Sequence, residues 1–123
     1  LPSTDDKFVG RVRSQVEIAI SEAKVIIFVV DAIDGPIGVD YEIADLLRQS
    51  NKPIILVVNK VDNLKREYAV PEFYEFGLGE PFSVSAAHNA GIDAILDEAV
   101  FLLSPVSNDE VIDDSALRIA IVG

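Results

Sequence analysis

Cysteine is absent from the 123 residues, so neither a disulfide framework nor thiolate metal ligation is available. Methionine is absent too, even at the first position. The chain stops at Arg118-Ile-Ala-Ile-Val-Gly123, a strand pattern with nothing after its glycine, and both ends read as cut from something longer. Basic residues are scarce: 10 Lys and Arg face 21 Asp and Glu, a formal net charge of −11. Such a surface is unsuited to wrapping a nucleic-acid backbone by itself, which requires Lys and Arg to neutralise phosphates. Long apolar runs are missing as well. The longest, Val25–Val30, falls far short of a membrane span. Leu1-Pro-Ser-Thr-Asp-Asp6 has neither the basic flank nor the apolar stretch of a signal peptide. The expectation is a cytoplasmic protein with no membrane partner. Hydrophobic residues make up 50% of the chain, enough for one compact domain with a real core.

The hydrophobic pattern alternates between two periods. Leu1–Lys7 has a loop composition. From Phe8 to Ala23, Val9, Val12, Val16 and Ile20 recur at helical spacing, with Ala19 and Ala23 on the same flank. Val25–Val30 is an uninterrupted β-branched run, the mark of a strand buried on both faces. Asp31 ends it, and Asp34-Gly-Pro36 is turn chemistry. A second helix is expected over Val39–Arg48, with Val39, Ile43, Leu46 and Leu47 as its apolar stripe, acids in its first turn and Arg48 in its last. Pro53 forces an extended approach to a second buried strand, Ile54–Val58. Asn63–Val70 is polar, and a short helix is expected over Pro71–Phe76, with Gly77 and Gly79 at its exit. Pro81–Ser85 reads as a third strand. Ile92–Leu103 reads as a last helix burying Ile95, Leu96, Ala99, Leu102 and Leu103. An acidic linker follows. The alternation predicts an α/β fold, a mostly parallel sheet with right-handed crossovers and helices on both faces.

Ligands of such sheets bind at the carboxyl ends of the strands. There the second strand runs into Asn59-Lys60-Val61-Asp62. A carboxylate at Asp62 can accept from the two donors on one edge of guanine, the N1–H and the exocyclic amine; adenine offers no such pair. The Lys60 stem can lie across the base, and Asn59 can tie the loop to neighbouring backbone. Bare Asn-Lys-x-Asp is a short pattern, expected in roughly one random chain of this length in a hundred. A companion loop sharpens it. Ser85-Ala86 leaves the carboxyl end of the neighbouring third strand and can present backbone N–H groups to guanine O6. Adenine carries a donor at that position, and the mismatch would be costly.

Asn-Lys-Val-Asp followed some twenty residues later by strand-Ser-Ala resembles the base-binding half of a translation-factor-type P-loop GTPase. In detail the segment resembles the first GTPase domain of the Der (EngA) family of tandem-domain GTPases. The matching stretches are Gln15–Ala23, Val25–Asp31, Ile54–Asp62, Glu75–Phe82 and the closing Arg118–Gly123. The resemblance implies a partial, three-layer P-loop GTPase-like domain. Residues 1–103 would be the second half of a GTPase domain, 104–117 an acidic inter-domain linker, and 118–123 the first strand of a following GTPase domain. It implies that Asn59, Lys60 and Asp62 hold the guanine ring and that Ser85 and Ala86 hold its O6 side. Leu1–Phe8 would be the tail of the second nucleotide-sensing switch. The implied ligand is GTP or GDP, the implied partners are the second GTPase domain and the large ribosomal subunit during its biogenesis, and the intact protein would hydrolyse GTP with Mg2+. This sequence holds no G-x-x-x-x-G-K-[S/T] loop. The resemblance therefore assigns it no catalytic residue and no metal ligand, and the segment alone is expected to be inactive.

Two other readings stay open. One is a non-catalytic interaction module on a GTPase-like scaffold. The other is a circularly permuted GTPase, whose base motifs precede its phosphate loop. Asp31 reads as a turn or helix cap rather than a catalytic acid, and His88 as an exposed loop residue. Asp5 and Asp6 read as an acidic loop, and Phe73, Tyr68 and Tyr74 as packing around the short helix. One edge of Val25–Val30 also needs a partner. In the intact protein the strand that opens the domain would supply it. Ile119–Val122 is a substitute of the right type, within reach across a linker that spans roughly 40 Å when extended.

Overall fold

The structure is a computed structural model and describes residues 4–104 and 119–123. Helix α1 spans Thr4–Glu22, strand β1 Val25–Asp31, helix α2 Gly38–Ser50 and strand β2 Ile54–Asn59. A one-turn helix α3, Leu64–Glu67, precedes a 3₁₀ segment, Val70–Phe76. Strand β3 is Phe82–Ser83, helix α4 Ile92–Leu103 and strand β4 Ile119–Val122. The four strands form one sheet in the order β3-β2-β1-β4, and every neighbouring pair is parallel. This is the expected α/β architecture.

The two central strands show why continuous apolar runs were needed. Ile26, Phe28 and Val30 of β1 and Leu56 and Val58 of β2 face one side. There they pack with Val16 of α1, Ile43, Ala44 and Leu47 of α2, and Phe73 and Phe76 of the 3₁₀ segment. The alternate residues, Val25, Ile55 and Val57, face the other side and pack with Val84 and with Ile95 and Ala99 of α4. Successive side chains of a strand point to opposite faces, so only an unbroken apolar run fills two cores at once. The result is three layers, with α1, α2 and the 3₁₀ segment on one face and α4 on the other.

Several details differ from the sequence reading. α1 begins at Thr4 rather than Phe8, so part of the Leu1–Lys7 loop is helical. α3 was missed: the Asn63 side chain accepts from the Arg66 N–H at 3.0 Å, an N-cap that lets Leu64–Glu67 turn. β3 is shorter than Pro81–Ser85. Leu96 is not buried. It is 56% exposed, because α4 meets the sheet along Ile95 and Ala99, and Val100 and Phe101 also face outward. Phe73 is fully buried, whereas Tyr68 and Tyr74 lie on the surface. The linker expected over 104–117 lies outside the described residues beyond Ser104.

The open edge of β1 is filled from within the chain. β4 pairs in register, Val25 with Ile119 through Phe28 with Val122. Ala120 and Val122 pack against the cluster beneath α1 and α2, while Ile119 and Ile121 face the α4 side and stay exposed. Amide exchange tests this pairing: the β4 amides that donate to β1 should exchange slowly, and uniformly fast exchange across Ile119–Val122 would contradict it. The core has its own test. Phe76 sits among Tyr41, Phe73 and Phe28, with ring centroids 5.0–5.8 Å away. Phe76→Ala should cost about 3–5 kcal/mol in equilibrium urea unfolding. Phe101→Ala, on the surface, should cost less than about 0.5 kcal/mol.

Candidate functional site

Parallel pairing brings the carboxyl ends of β1, β2 and β3 to one edge of the sheet. Asp31 lies directly opposite Asn59 in register, and the Ala32 N–H donates to the Asn59 carbonyl at 3.0 Å. On the other side of β2, Val84 N–H donates to the Val58 carbonyl at 2.9 Å, and Val61 N–H donates to the Val84 carbonyl at 3.0 Å. The ladder thus continues past the strand ends and holds the Asn59–Asp62 loop against the Ser85–Ala86 loop.

Within the first loop, Asn59 Oδ1 accepts from the Lys60 N–H at 2.8 Å, so the asparagine ties down its own turn. Lys60 has φ = +66°, the left-handed region that non-glycine residues rarely occupy. Such strain is worth on the order of 1 kcal/mol or more and persists only where its surroundings over-determine it. The lysine Nζ reaches back to Asp31 Oδ2 at 2.7 Å. The other Asp31 oxygen accepts from the Ile33 N–H at 2.7 Å. Asp31 therefore caps its turn, as expected, and also holds Lys60, which the sequence reading missed. The signal was present: a residue ending one parallel strand lies beside the residue ending the next.

Burial pushes the Asp31 carboxyl up. Hydrogen bonds from Lys60 and the backbone of Ile33 and Asp34, with the Lys60 charge, outweigh it and leave the group below its ordinary 3.8. The Lys60 ammonium is held above its ordinary 10.5 by the hydrogen bond to Asp31 and its charge, with Asp34 and Asp62 adding attraction. Both shifts favour the ion pair. The Asp31 contribution is fully present above 3.8 and is lost as pH falls through its lowered folded value. The Lys60 contribution is fully present below 10.5 and is lost as pH rises through its raised one. The pair is intact throughout the neutral range.

The second loop is built around Ser85, 2% exposed. Its hydroxyl donates to Asp62 Oδ1. Its backbone exchanges two 3.0 Å hydrogen bonds with Ala90, and the His88 N–H donates to the Ser85 carbonyl at 3.2 Å, closing a tight loop. Among the described residues, no acceptor takes the Ala86 or Ala87 N–H. His88 is exposed, as expected. All five predicted site residues thus lie on two adjoining loops: Asn59 and Lys60 shaping one, Asp62 bridging to the other through Ser85, and Ala86 exposed beside it. Chemically, the edge offers a carboxylate acceptor, small-residue backbone donors and a tethered aliphatic stem.

Gly91 supports the second loop. It has φ = +84°, and an added Cβ would collide with the Ser83 carbonyl oxygen. Gly91→Ala should therefore destabilise the chain by more than about 1 kcal/mol in urea unfolding.

Residues 12–105 match the family of the elongation factor Tu GTP binding domain. Curated relatives match almost the whole chain. GTPase Der of Clostridium kluyveri is 42% identical over 122 residues, covering 99% of this chain and 28% of that protein. GTPase Der of Thermomicrobium roseum is 45% identical over 121 residues, 98% of this chain and 26% of that protein. GTPase Der of Porphyromonas gingivalis is 40% identical over 121 residues, again 98% and 28%. The chain spans little more than a quarter of the length of these relatives. The chain belongs to the elongation factor Tu GTP binding domain family, with GTPases named Der as relatives over nearly its whole length.

Proposed function

We propose that this segment is the guanine-specificity half of a GTP-hydrolysing protein. The observation that carries the reading is the hydrogen bond from the buried Ser85 hydroxyl to Asp62, which couples the two loops at the sheet's carboxyl edge. A carboxylate oxygen accepts more than one hydrogen bond. Asp62 can therefore accept the Ser85 hydroxyl hydrogen bond and still accept from the N1–H and the amine of guanine. Lys60 floors the base, Asn59 shapes the turn, and the Ala86 side of the second loop faces O6. Magnesium would accompany the nucleotide and take its ligands from outside this segment. Among the described residues no cluster of three His, Asp or Glu side chains could hold a metal ion.

The wider reading rests on the Der relatives. Residues 1–103 form the second half of one GTPase domain, 104–117 the tether, and 118–123 the opening strand of the next. The intact protein hydrolyses GTP in the cytoplasm and acts on the large ribosomal subunit during its assembly. The net charge of −11 directs ribosomal RNA contacts to other parts of that protein. Among the described residues no helix is long and apolar enough to cross a membrane.

One observation favours a second reading. β4 follows the base loops in the chain yet pairs with β1 in their own sheet, the order a circularly permuted GTPase requires. Sequence on either side of the segment separates the two. A complete phosphate loop upstream gives the tandem protein; none upstream and one directly after Gly123 gives the permuted one.

The base reading is tested with Asp62→Asn in the intact protein. Xanthine presents a carbonyl where guanine has its amine. The variant should lose about a hundredfold in GDP affinity and gain affinity for xanthosine diphosphate. Unchanged nucleotide preference would remove Asp62 as the base reader, and failure of the unmutated protein to bind either nucleotide would favour the interaction module.

A further inference from the structure

Resting on the guanine reading of Asn59–Asp62, we infer that Asp31 is a positioning residue of that site. It anchors the Lys60 ammonium so that the lysine meets the base with its methylene stem rather than its charge. Three observations carry this. The Nζ–Oδ2 distance of 2.7 Å is that of a charge-assisted hydrogen bond. The register of β1 and β2 sets Asp31 beside Asn59, so the lysine side chain crosses from one strand end to the next, a gap of about 4.8 Å in the sheet. The lysine is also fixed at its other end, where Asn59 Oδ1 holds the Lys60 N–H in a left-handed turn.

A free lysine samples many rotamers, and freezing it under a ligand costs entropy. With both ends tied before the nucleotide arrives, the stem is a preorganised floor. The pair also cancels the ammonium charge and keeps it from swinging toward the phosphates. Asp34 and Asp62 attract Lys60 as well, but the hydrogen bond goes to Asp31. The two oxygens of Asp31 have separate roles, Oδ1 on the Ile33 N–H and Oδ2 on Lys60. That separation makes the inference testable, because an amide keeps an acceptor for the turn and loses the ion pair.

The experiment is GDP titration of the intact protein as wild type, Asp31→Asn, Lys60→Ala and the double variant. Asp31→Asn should weaken GDP about tenfold, and should weaken it less than about twofold further in the Lys60→Ala background. Wild-type affinity in Asp31→Asn would overturn the inference and leave Asp31 a turn cap. An equal loss with and without Lys60 would overturn it too. If Lys60→Ala and Asp62→Asn both leave GDP binding unchanged, the guanine reading itself fails. A measurement on the unmutated, nucleotide-free protein covers the case of a variant that does not fold. Competitive labelling with acetic anhydride should modify Lys60 more slowly than the exposed Lys24 and Lys65, and equal rates would overturn the pairing.

Discussion

The ladder between β1 and β2 is the constraint on which the rest depends. Six consecutive pairs run from Ile26 opposite Ile54 to Asp31 opposite Asn59. Both strands are apolar on both faces, so a one-residue slip would turn the slipped strand over: in β1, for example, Phe28 would leave the α1–α2 side and Val25 the α4 side. The helical layer cannot accommodate such an exchange, because Phe28 meets Phe76, which in turn packs edge-on against Tyr41 of α2. Hydrophobic packing therefore fixes the register. The register in turn sets two polar strand ends, Asp31 and Asn59, side by side where the core stops.

From that edge outward the interactions become polar and directional. The backbone continues the ladder through Val61 and Val84, which leaves the side chains free for other work. Lys60 is exposed, and an exposed ion pair contributes little to stability. The value of the Lys60–Asp31 contact lies in geometry. It holds a long side chain in one place, and the left-handed backbone at Lys60 serves the same end at a cost in local strain. A tethered lysine with a left-handed backbone, at the end of a strand, is the fixed side chain that the proposed guanine site requires.

The fold was legible because its signal is repetitive. Val25–Val30 and Ile54–Val58 are short, β-branched apolar runs that read as strands buried on both faces, and the helical stripe of α1 needs one sheet face to dock on. Asn59–Asp62 and Ser85-Ala86 were legible as a pair because each follows a strand. What failed depended on single contacts. Leu96 looked buried because it lies next to Ile95 in an apolar helix, but α4 meets the sheet along Ile95 and Ala99 and leaves Leu96 outside. The short helix at Leu64 rests on one Asn63 cap within a polar stretch. Asp31 looked like a turn cap, which it is. Its second oxygen found a partner 29 residues further along the chain, and only the sheet register brings the two together.

The arrangement also solves an electrostatic problem in so acidic a chain. Asp62 is two residues from Lys60 and attracts it. Were the two to pair, the carboxylate proposed to read the base and the lysine proposed to support it would satisfy each other. A ligand would then have to break a charge-assisted bond to enter. Instead the lysine is engaged by Asp31, on the far side of β2 from the Ser85 loop. Asp62 is oriented by a neutral hydroxyl, which fixes its direction without cancelling its charge. Ser85 can do this because it is itself held in a closed backbone loop and buried to 2% exposure. The two acids thus have opposite uses: Asp31 is committed to the lysine, and Asp62 is aimed and left able to accept.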